Sequence, residues 1–211
     1  MSKKIMFNDK YGLTQAVLEG RKTMTRRTFY IPDKLALKYY VETDNLVICE
    51  TQYNGNVIEW RDSNDNVRMT FQPKYEVGEV VAIAQSYKDI GYNGEYSWVQ
   101  DGIHYHRDRA AGWANKMFVK VNLMPHHIKI TDIKVERLQD ISDKDCFKEG
   151  IYASNSFEIG YGIPWVYEFA KSKMAYYTPR EAFAALINKV SGKGTWESNP
   201  FVWVYEFKLL D

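Results

Sequence analysis

The chain has 211 residues, with 28 Lys and Arg against 27 Asp and Glu, so its formal net charge is only +1. A balance this even argues against a protein that coats nucleic acid non-specifically, although a local basic patch can still attract an anionic ligand. The two cysteines, Cys49 and Cys146, are too few for a disulfide scaffold or a four-thiolate zinc site.

Length and hydropathy favour a single soluble domain. No stretch is apolar for long enough to cross a membrane, and residues 1–9 lack the apolar core of a secretory signal. We therefore expect a cytoplasmic protein with no membrane contact. A hydrophobic content of 45% is ordinary for a folded chain, and one domain over residues 1–211 can bury a substantial core.

The first elements lead into an unusually basic segment. A short strand is predicted at residues 4–7, and an amphipathic helix at residues 11–19. Gly20 follows as a natural left-handed end to that helix. The next residues complete the sequence GRKTMTRR over residues 20–27, which places four cations and two hydroxyls within eight residues.

The remaining pattern consists mostly of strands. Strands are predicted at residues 46–53, 57–60, 67–72, 79–84, 117–123, 127–138 and 201–209. The strand at 127–138 changes its alternation at Thr131 and Asp132, which predicts a bulge. Two aromatic-rich segments without periodicity, at about residues 89–116 and 152–178, are interpreted as insertions.

Two further helices have clear end signals. Ser142 predicts the start of a short helix that Gly150 ends, and residues 178–181 (TPRE) predict the start of a longer helix that Gly192 closes. Many strands with a few short helices indicate the α+β class, with a small barrel as the expected architecture.

The basic segment is the leading candidate for a site. If residues 23–27 are extended, then Thr23, Thr25 and Arg27 share one face of the strand, and Lys22 joins them only if residues 20–23 form a turn. Arg27 is therefore our choice for a ligand cleft.

The arginines of this segment have two possible roles. Arg21, Arg26 and Arg27 carry planar, forked guanidinium groups that suit phosphate or carboxylate. Each of them is equally able to pair with an acid of the protein itself.

Aromatic and histidine residues supply weaker candidates. Trp196 lies in a Gly-flanked loop and can stack on a base, whereas Trp203 and Tyr205 share a strand face and are expected in the core. His104 and His106 would lie on one face of a strand, but no third ligand has suitable spacing. We expect neither a metal nor a cofactor.

Four stretches of the sequence resemble one family. The segments LEGRKTMTRR, YEVGEVVAI, KITDIKVERLQDISDKDCFKEGI and ESNPFVWVYEF occur in the order seen in larger, phage-type members of the ASCH domain family, a branch of the PUA-like fold. The resemblance implies a small mixed PUA-like β-barrel flanked by short helices, with a cleft under the basic turn. It also implies RNA or a nucleoside-like small molecule as the partner, and suggests a phage or prophage origin.

The same resemblance implies a catalytic set. One small bacterial branch of the family is an amidohydrolase acting on N4-acetylcytidine, and its Lys, Thr and Glu fall on Lys22, Thr25 and Glu149. This chain departs from larger relatives at residues 84–85, which are Ala-Gln in place of Arg-Glu. It also departs after Met124 and Pro125, where His126 and His127 stand in place of an Arg-rich stretch.

This set gives a coherent chemistry and two simpler alternatives. A Thr hydroxyl needs a base, and Lys22 can serve only when neutral, which burial and neighbouring cations would favour over its usual pKa of about 10.4. Glu149 would orient Lys22 or protonate the leaving amine, and the arginines would stabilise an oxyanion. Alternatively, Lys22 and the arginines bind a phosphate, or they form a structural cluster with Glu149.

The expected function is recognition of RNA or a modified nucleoside in the cleft at the GRKTMTRR turn. The alternatives are a metal-independent amidohydrolase acting on N4-acetylcytidine or a similar acylated nucleoside, an adaptor that binds a protein through the aromatic insertions, and a single-strand ribonuclease. The small net charge favours a small ligand over a long RNA, since long RNA needs a broad positive surface.

Overall fold

The computed structural model describes residues 3–28, 46–51, 55–61, 64, 66–90, 98–100, 103–105, 111–155 and 165–210. The strands, numbered along the chain, are β1 (Lys4–Ile5), β2 (Met24–Thr28), β3 (Leu46–Thr51), β4 (Gly55–Arg61), β5 (Val67–Phe71), β6 (Val80–Ile83), β7 (Trp98–Gln100), β8 (Ile103–Tyr105), β9 (His127–Arg137), β10 (Tyr152–Asn155), β11 (Trp165–Glu168) and β12 (Phe201–Leu209). The α-helices are α1 (Leu13–Leu18), α2 (Asp143–Lys148) and α3 (Pro179–Val190). The predicted α+β class is confirmed.

A five-stranded sheet in the order β1-β6-β9-β12-β2 forms the centre of the fold. Strands β1 and β6 are parallel, and the other neighbours are antiparallel. Within the β9–β12 ladder, Phe207 pairs with Ile130 and Glu206 with Asp132, so Thr131 has no opposite residue. The bulge expected at this point is confirmed.

The two outer strands of this sheet, β1 and β2, approach each other without a backbone ladder. A guanidinium N–H of Arg27 on β2 donates to the carbonyl of Met6, one residue beyond β1. Among the described residues the sheet therefore remains open, and a closed barrel is not seen.

The smaller sheets both confirm and correct the sequence predictions. Strand β4 pairs with both β3 and β5, as its position between two turns suggested. Each predicted insertion contains a hairpin, β7–β8 in the first and β10–β11 in the second, so neither is wholly irregular. The sequence pattern did not predict either hairpin, because their strands are only three or four residues long.

The strand predicted at residues 117–123 was wrong. The chain there forms two short 3-10 helices, Lys116–Phe118 and Val121–Leu123. The ammonium group of Lys4 donates hydrogen bonds to the backbone carbonyls of Lys116, Met117 and Val119. The partly exposed side chain of Lys4 thus satisfies acceptors that a strand would offer to a neighbour.

The helices pack their apolar faces on the central sheet. Buried residues of α1 and α3 join strand residues in one core, including Val17, Phe183, Trp203 and Tyr205. The predicted helix starts are confirmed, since Ser142 Oγ accepts from the N–H of Asp145 and Thr178 Oγ1 from that of Glu181. No helix in the described part of the chain is long and apolar enough to cross a membrane.

Candidate functional site: a buried ion-pair cluster beside an open cavity

The turn after α1 directs Lys22 into the protein. Gly20 has a φ of 71°, a left-handed conformation that glycine adopts without strain, and its N–H donates to the carbonyl of Val17. The N–H of Lys22 then reaches back to the carbonyl of Ala16 at 2.9 Å. This is the turn that the sequence required if Lys22 was to join Thr25.

Lys22 and Glu149 form a buried ion pair. Nζ of Lys22 lies 2.6 Å from Oε2 of Glu149 and also donates to the Glu149 backbone carbonyl at 2.9 Å. The two residues are 2% and 4% exposed. Glu149 follows the last residue of α2, and Gly150 turns the chain away with a φ of 101°. The structure therefore brings together the Lys and Glu that the sequence singled out.

Arg26 is a second cation on the same carboxylate. One guanidinium nitrogen lies 3.1 Å from Oε1 of Glu149, and another lies 2.5 Å from Glu136 and 3.4 Å from Asp145. Burial alone would lower the pKa of Arg26, but Glu149 and Glu136 raise it above its usual value. Its charge is committed to the protein's own acids, the internal pairing that sequence reasoning had left open.

The electrostatics of Lys22 differ from those of Arg26. Burial lowers the pKa of Lys22 below its ordinary value, and attraction by Glu149 opposes this effect. The neighbouring charges of Arg27 and Arg26 lower it further. The amine is therefore easier to deprotonate than that of an exposed lysine.

A cavity of about 260 Å³, hereafter the Thr25 cavity, opens beside this pair. Its polar walls come from Lys22, Thr25, Arg26, Arg27 and Glu149, and its apolar walls include Phe7, Leu13, Phe183 and Leu186. Thr25 is 5% exposed, and its hydroxyl has no hydrogen-bond partner among the described residues. All three predicted catalytic residues thus line one cavity.

Arg27 lies on the wall of the Thr25 cavity and differs from Arg26 in its partners. It donates to the Met6 carbonyl, and its guanidinium lies 5.7 Å from the ring centre of Phe7. Within the described part of the chain, no carboxylate lies within ion-pair distance of it. Burial lowers the pKa of Arg27, although Tyr75, Glu149 and Tyr205 oppose this.

The other predicted ligand-binding residues lie elsewhere. Arg21 is exposed and pairs with Glu19. Trp196 packs edge-on against Phe183, with ring centres 6.1 Å apart, and is not among the residues that line the Thr25 cavity.

The histidine pair at residues 104 and 106 was the possible metal-binding feature of the sequence. The His104 side chain and residue 106 lie outside the described residues. Among the residues that are described, no group of three or more His, Cys, Asp or Glu side chains is placed to hold a metal ion.

Sequence reasoning missed Glu136, Asp145 and Gln85. Glu136 and Asp145 neutralise Arg26 across more than 100 residues of sequence, and no local pattern signals such a pairing. Gln85, just after β6, is 7% exposed, and its side-chain amide oxygen has no hydrogen-bond partner among the described residues. Its only sequence signal was the departure from Arg-Glu at this position.

Comparisons of the chain with protein-family models, with curated proteins and with solved structures each gave no match. The family resemblance consequently rests on the sequence motifs described above.

Proposed function

We propose that the protein is an ASCH-type, PUA-like protein that binds a modified nucleoside or an RNA base in the Thr25 cavity. The observation that carries this proposal is the convergence of Lys22, Thr25 and Glu149 on one cavity with apolar side walls. Ligand sites of this kind combine a mostly apolar lining with a few fixed polar groups. The lining here offers a planar polar ligand the hydroxyl of Thr25 and the cationic groups of Lys22 and Arg27.

The sheet supports the fold part of the proposal. A PUA-like barrel needs its outer strands to come together, and Arg27 joins β2 to the end of β1 through the Met6 carbonyl. The four family-like segments supply β2, β6, β9 with α2, and β12, and four of the five central strands therefore come from the motifs that suggested the family.

Amide hydrolysis is the second candidate function, favoured by the surroundings of the Thr25 hydroxyl and the Lys22 amine. The Thr25 hydroxyl has no partner among the described residues, and burial lowers the pKa of the Lys22 amine. In the reaction, Thr25 Oγ1 attacks the acyl carbon while neutral Lys22 accepts the hydroxyl proton. The nitrogen leaves as the nucleoside amine after taking that proton from Lys22. Water then hydrolyses the acyl–threonine ester to release the carboxylic acid.

The neighbouring residues have supporting roles in this scheme. Glu149 positions Lys22, because Nζ of Lys22 donates hydrogen bonds to both the backbone carbonyl and the side-chain carboxylate of Glu149. Arg27 has no carboxylate among the described residues and so remains available to the oxyanion that forms on attack.

The decisive experiment measures binding and turnover together. Calorimetric titration with N4-acetylcytidine and cytidine reports binding, and chromatography reports release of cytidine. Thr25→Val removes the hydroxyl at constant shape, Thr25→Ser retains it, and Thr23→Val is the matched control because Thr23 does not line the cavity.

Each outcome separates the candidates. Release by the wild type and by Thr23→Val, but not by Thr25→Val, supports hydrolysis with Thr25 as nucleophile. Binding without release supports recognition alone. An absence of binding to cytidine, to N4-acetylcytidine and to short single-stranded RNA would overturn the proposed function.

A further inference from the structure

A second cavity of about 400 Å³ lies on the other side of Arg27. We call it the Tyr75 cavity; its lining residues are Lys4, Met6, Arg27, Thr28, Gln72, Lys74, Tyr75, Met117, Trp203 and Tyr205. It shares Met6, Arg27 and Thr28 with the Thr25 cavity. The two cavities are therefore neighbours, and Arg27 is the cationic residue among the three that line both.

The Tyr75 cavity has a positive lining. Lys4, Arg27 and Lys74 contribute to its wall, and none of its described lining residues is acidic. The ammonium group of Lys4 already donates hydrogen bonds to the backbone carbonyls of residues 116, 117 and 119. Arg27 and Lys74 remain, and neither has a carboxylate within ion-pair distance among the described residues.

This lack of acids contrasts with nearby lysines. Lys3 pairs with Glu79 at 3.1 Å, and Lys116 pairs with Asp9 at 2.7 Å. Arg27 is only half-buried and has no carboxylate within ion-pair distance among the described residues, so its guanidinium can accept an anion as a partner. Lys74 lies on the same wall and supplies a second cation to that anion.

The floor of the Tyr75 cavity is aromatic. The rings of Tyr75 and Tyr205 meet edge to face, with centres 5.2 Å apart. Their hydroxyls are already bonded, since Tyr75 donates to the Lys4 carbonyl and Tyr205 accepts from the Lys74 N–H. Both side chains are nearly fully buried, at 3% and 1% exposed, so only a small part of each ring reaches the cavity.

Two exposed methionines complete the apolar walls. Met6 and Met117 are 38% and 56% exposed, which is high for side chains of this type. Methionine is flexible and polarisable, and it contacts aromatic rings and other planar groups favourably. A planar base in the cavity can therefore lie against the two methionine side chains.

We propose that the Tyr75 cavity is a second subsite, and that the ligand is a dinucleotide step of single-stranded RNA. One base occupies the Thr25 cavity, the linking phosphate contacts Arg27 and Lys74, and the next base occupies the Tyr75 cavity. This inference rests on the proposed function, because it extends the ligand of the Thr25 cavity. Together the two volumes fall well within the range of about 300–1,000 Å³ usual for ligand sites.

The test compares three ligands with one site-resolved readout. Cytidine, cytidine 3′-monophosphate and the dinucleotide CpC are titrated into protein labelled at the methionine methyl groups. Met117 lines only the Tyr75 cavity, Met6 lines both cavities, and the exposed Met174 lines neither. Met117→Leu assigns the reporter resonance.

The expected result has three parts. CpC binds at least about tenfold more tightly than cytidine and shifts the Met117 methyl, whereas cytidine shifts Met6 without Met117. The logarithm of the CpC association constant falls with the logarithm of salt concentration with a slope of about −0.7, as for one neutralised phosphate of a single strand. Lys74→Gln removes the gain of CpC over cytidine and leaves cytidine binding unchanged, while Lys208→Gln, at an exposed lysine outside both cavities, changes neither.

Other outcomes overturn the inference in distinguishable ways. Equal binding of cytidine and CpC with a static Met117 methyl removes the subsite and leaves the proposed function intact. If cytidine 3′-monophosphate matches CpC and Met117 stays unshifted, the cations bind a phosphate but no second base, and the dinucleotide assignment is wrong. If CpC shifts Met117 in a Lys74-dependent manner while cytidine does not bind, the subsite stands and nucleoside recognition by the Thr25 cavity fails. No binding of any of the three overturns both.

Discussion

Nζ of Lys22 lies 2.6 Å from Oε2 of Glu149, although the two residues are 127 positions apart in the chain. The pair joins the start of β2 to the end of α2. Because Arg26 shares the same carboxylate, Glu149 neutralises two buried cations. The site and the stability of this part of the fold are consequently linked.

Glu149→Gln is expected to destabilise the protein more than Lys22→Met. Removing one partner of a buried ion pair costs about 3–5 kcal/mol, since the other charge is left buried. Glu149→Gln leaves buried Lys22 without its carboxylate and removes one of the three acids that contact Arg26, whereas after Lys22→Met the carboxylate still has Arg26. Urea unfolding at pH 7 measures the difference.

The exposed Arg21–Glu19 pair supplies the control, and Glu19→Gln should leave the unfolding midpoint unchanged. The reverse order, with Lys22→Met the more damaging change, would contradict the sharing of Glu149 by two cations.

Lys22 is also expected to give a characteristic pH dependence. Its folded-state pKa is lowered, so the unfolded chain binds more protons at this position between the lowered pKa and about 10.4. Stability therefore rises with pH in that window. The free energy of unfolding of the wild type, relative to that of Lys22→Met, should increase as the pH is raised to about 9.5, which lies below the unfolded-state pKa.

Measurements in this range stay below the ordinary tyrosine pKa of about 10, and burial raises the pKa of Tyr75 further, to about 12. A relative stability that does not rise with pH in this range would mean that Glu149 keeps Lys22 charged, and it would also remove Lys22 as the base in amide hydrolysis.

Cys146 is expected to be unreactive in the folded protein. It is fully buried in α2, and burial raises the pKa of its thiol to about 12. Since the thiolate is the reactive species, iodoacetamide at about pH 8 should not modify Cys146 until the protein is unfolded. Peptide mass spectrometry in the presence and absence of urea checks this. Rapid labelling in native buffer would show that α2 opens readily.

The sequence predicted local features of the fold more reliably than distant contacts. Gly20, Ser142 and residues 178–181 mark helix ends through hydrogen bonds within a few residues, and those boundaries are confirmed. The prediction of a strand at residues 117–123 was wrong, because backbone carbonyls of this segment accept hydrogen bonds from Lys4, over 110 positions away in the sequence. Such a contact leaves no periodic trace.

The candidate site shows the same division. Lys22, Thr25 and Glu149 could be named in advance because the resemblance to a family supplied them, and they line one cavity. The commitment of Arg26 to Glu136 and Asp145 depended on the pairing of β2 through β12 to β9. Neither the family motif nor the spacing contained that information, so Arg26 and Arg27 appeared equivalent.

Gln85→Met is expected to preserve or raise stability. The Gln85 carbonyl oxygen is buried without a partner among the described residues, and such a group costs about 1–3 kcal/mol. Methionine has a similar volume and no amide, so the free energy of unfolding should be unchanged or higher. Gln139→Met is the control, because the Gln139 amide donates to the Trp196 carbonyl at 2.8 Å and its loss should destabilise. Clear destabilisation by Gln85→Met would show that the amide makes a contact important to the fold.

Arg26→Lys is expected to be strongly destabilising although it preserves charge. The forked guanidinium of Arg26 contacts Glu136, Asp145 and Glu149 at once, and an ammonium group on a shorter reach cannot keep all three. We expect a loss of about 3 kcal/mol or more in urea unfolding, since the buried acids lose their shared partner. Arg21→Lys, at an exposed pair on the same turn, should have little effect. If Arg26→Lys were as stable as the wild type but lost ligand binding, Arg26 would belong to the binding groups rather than to the structural cluster.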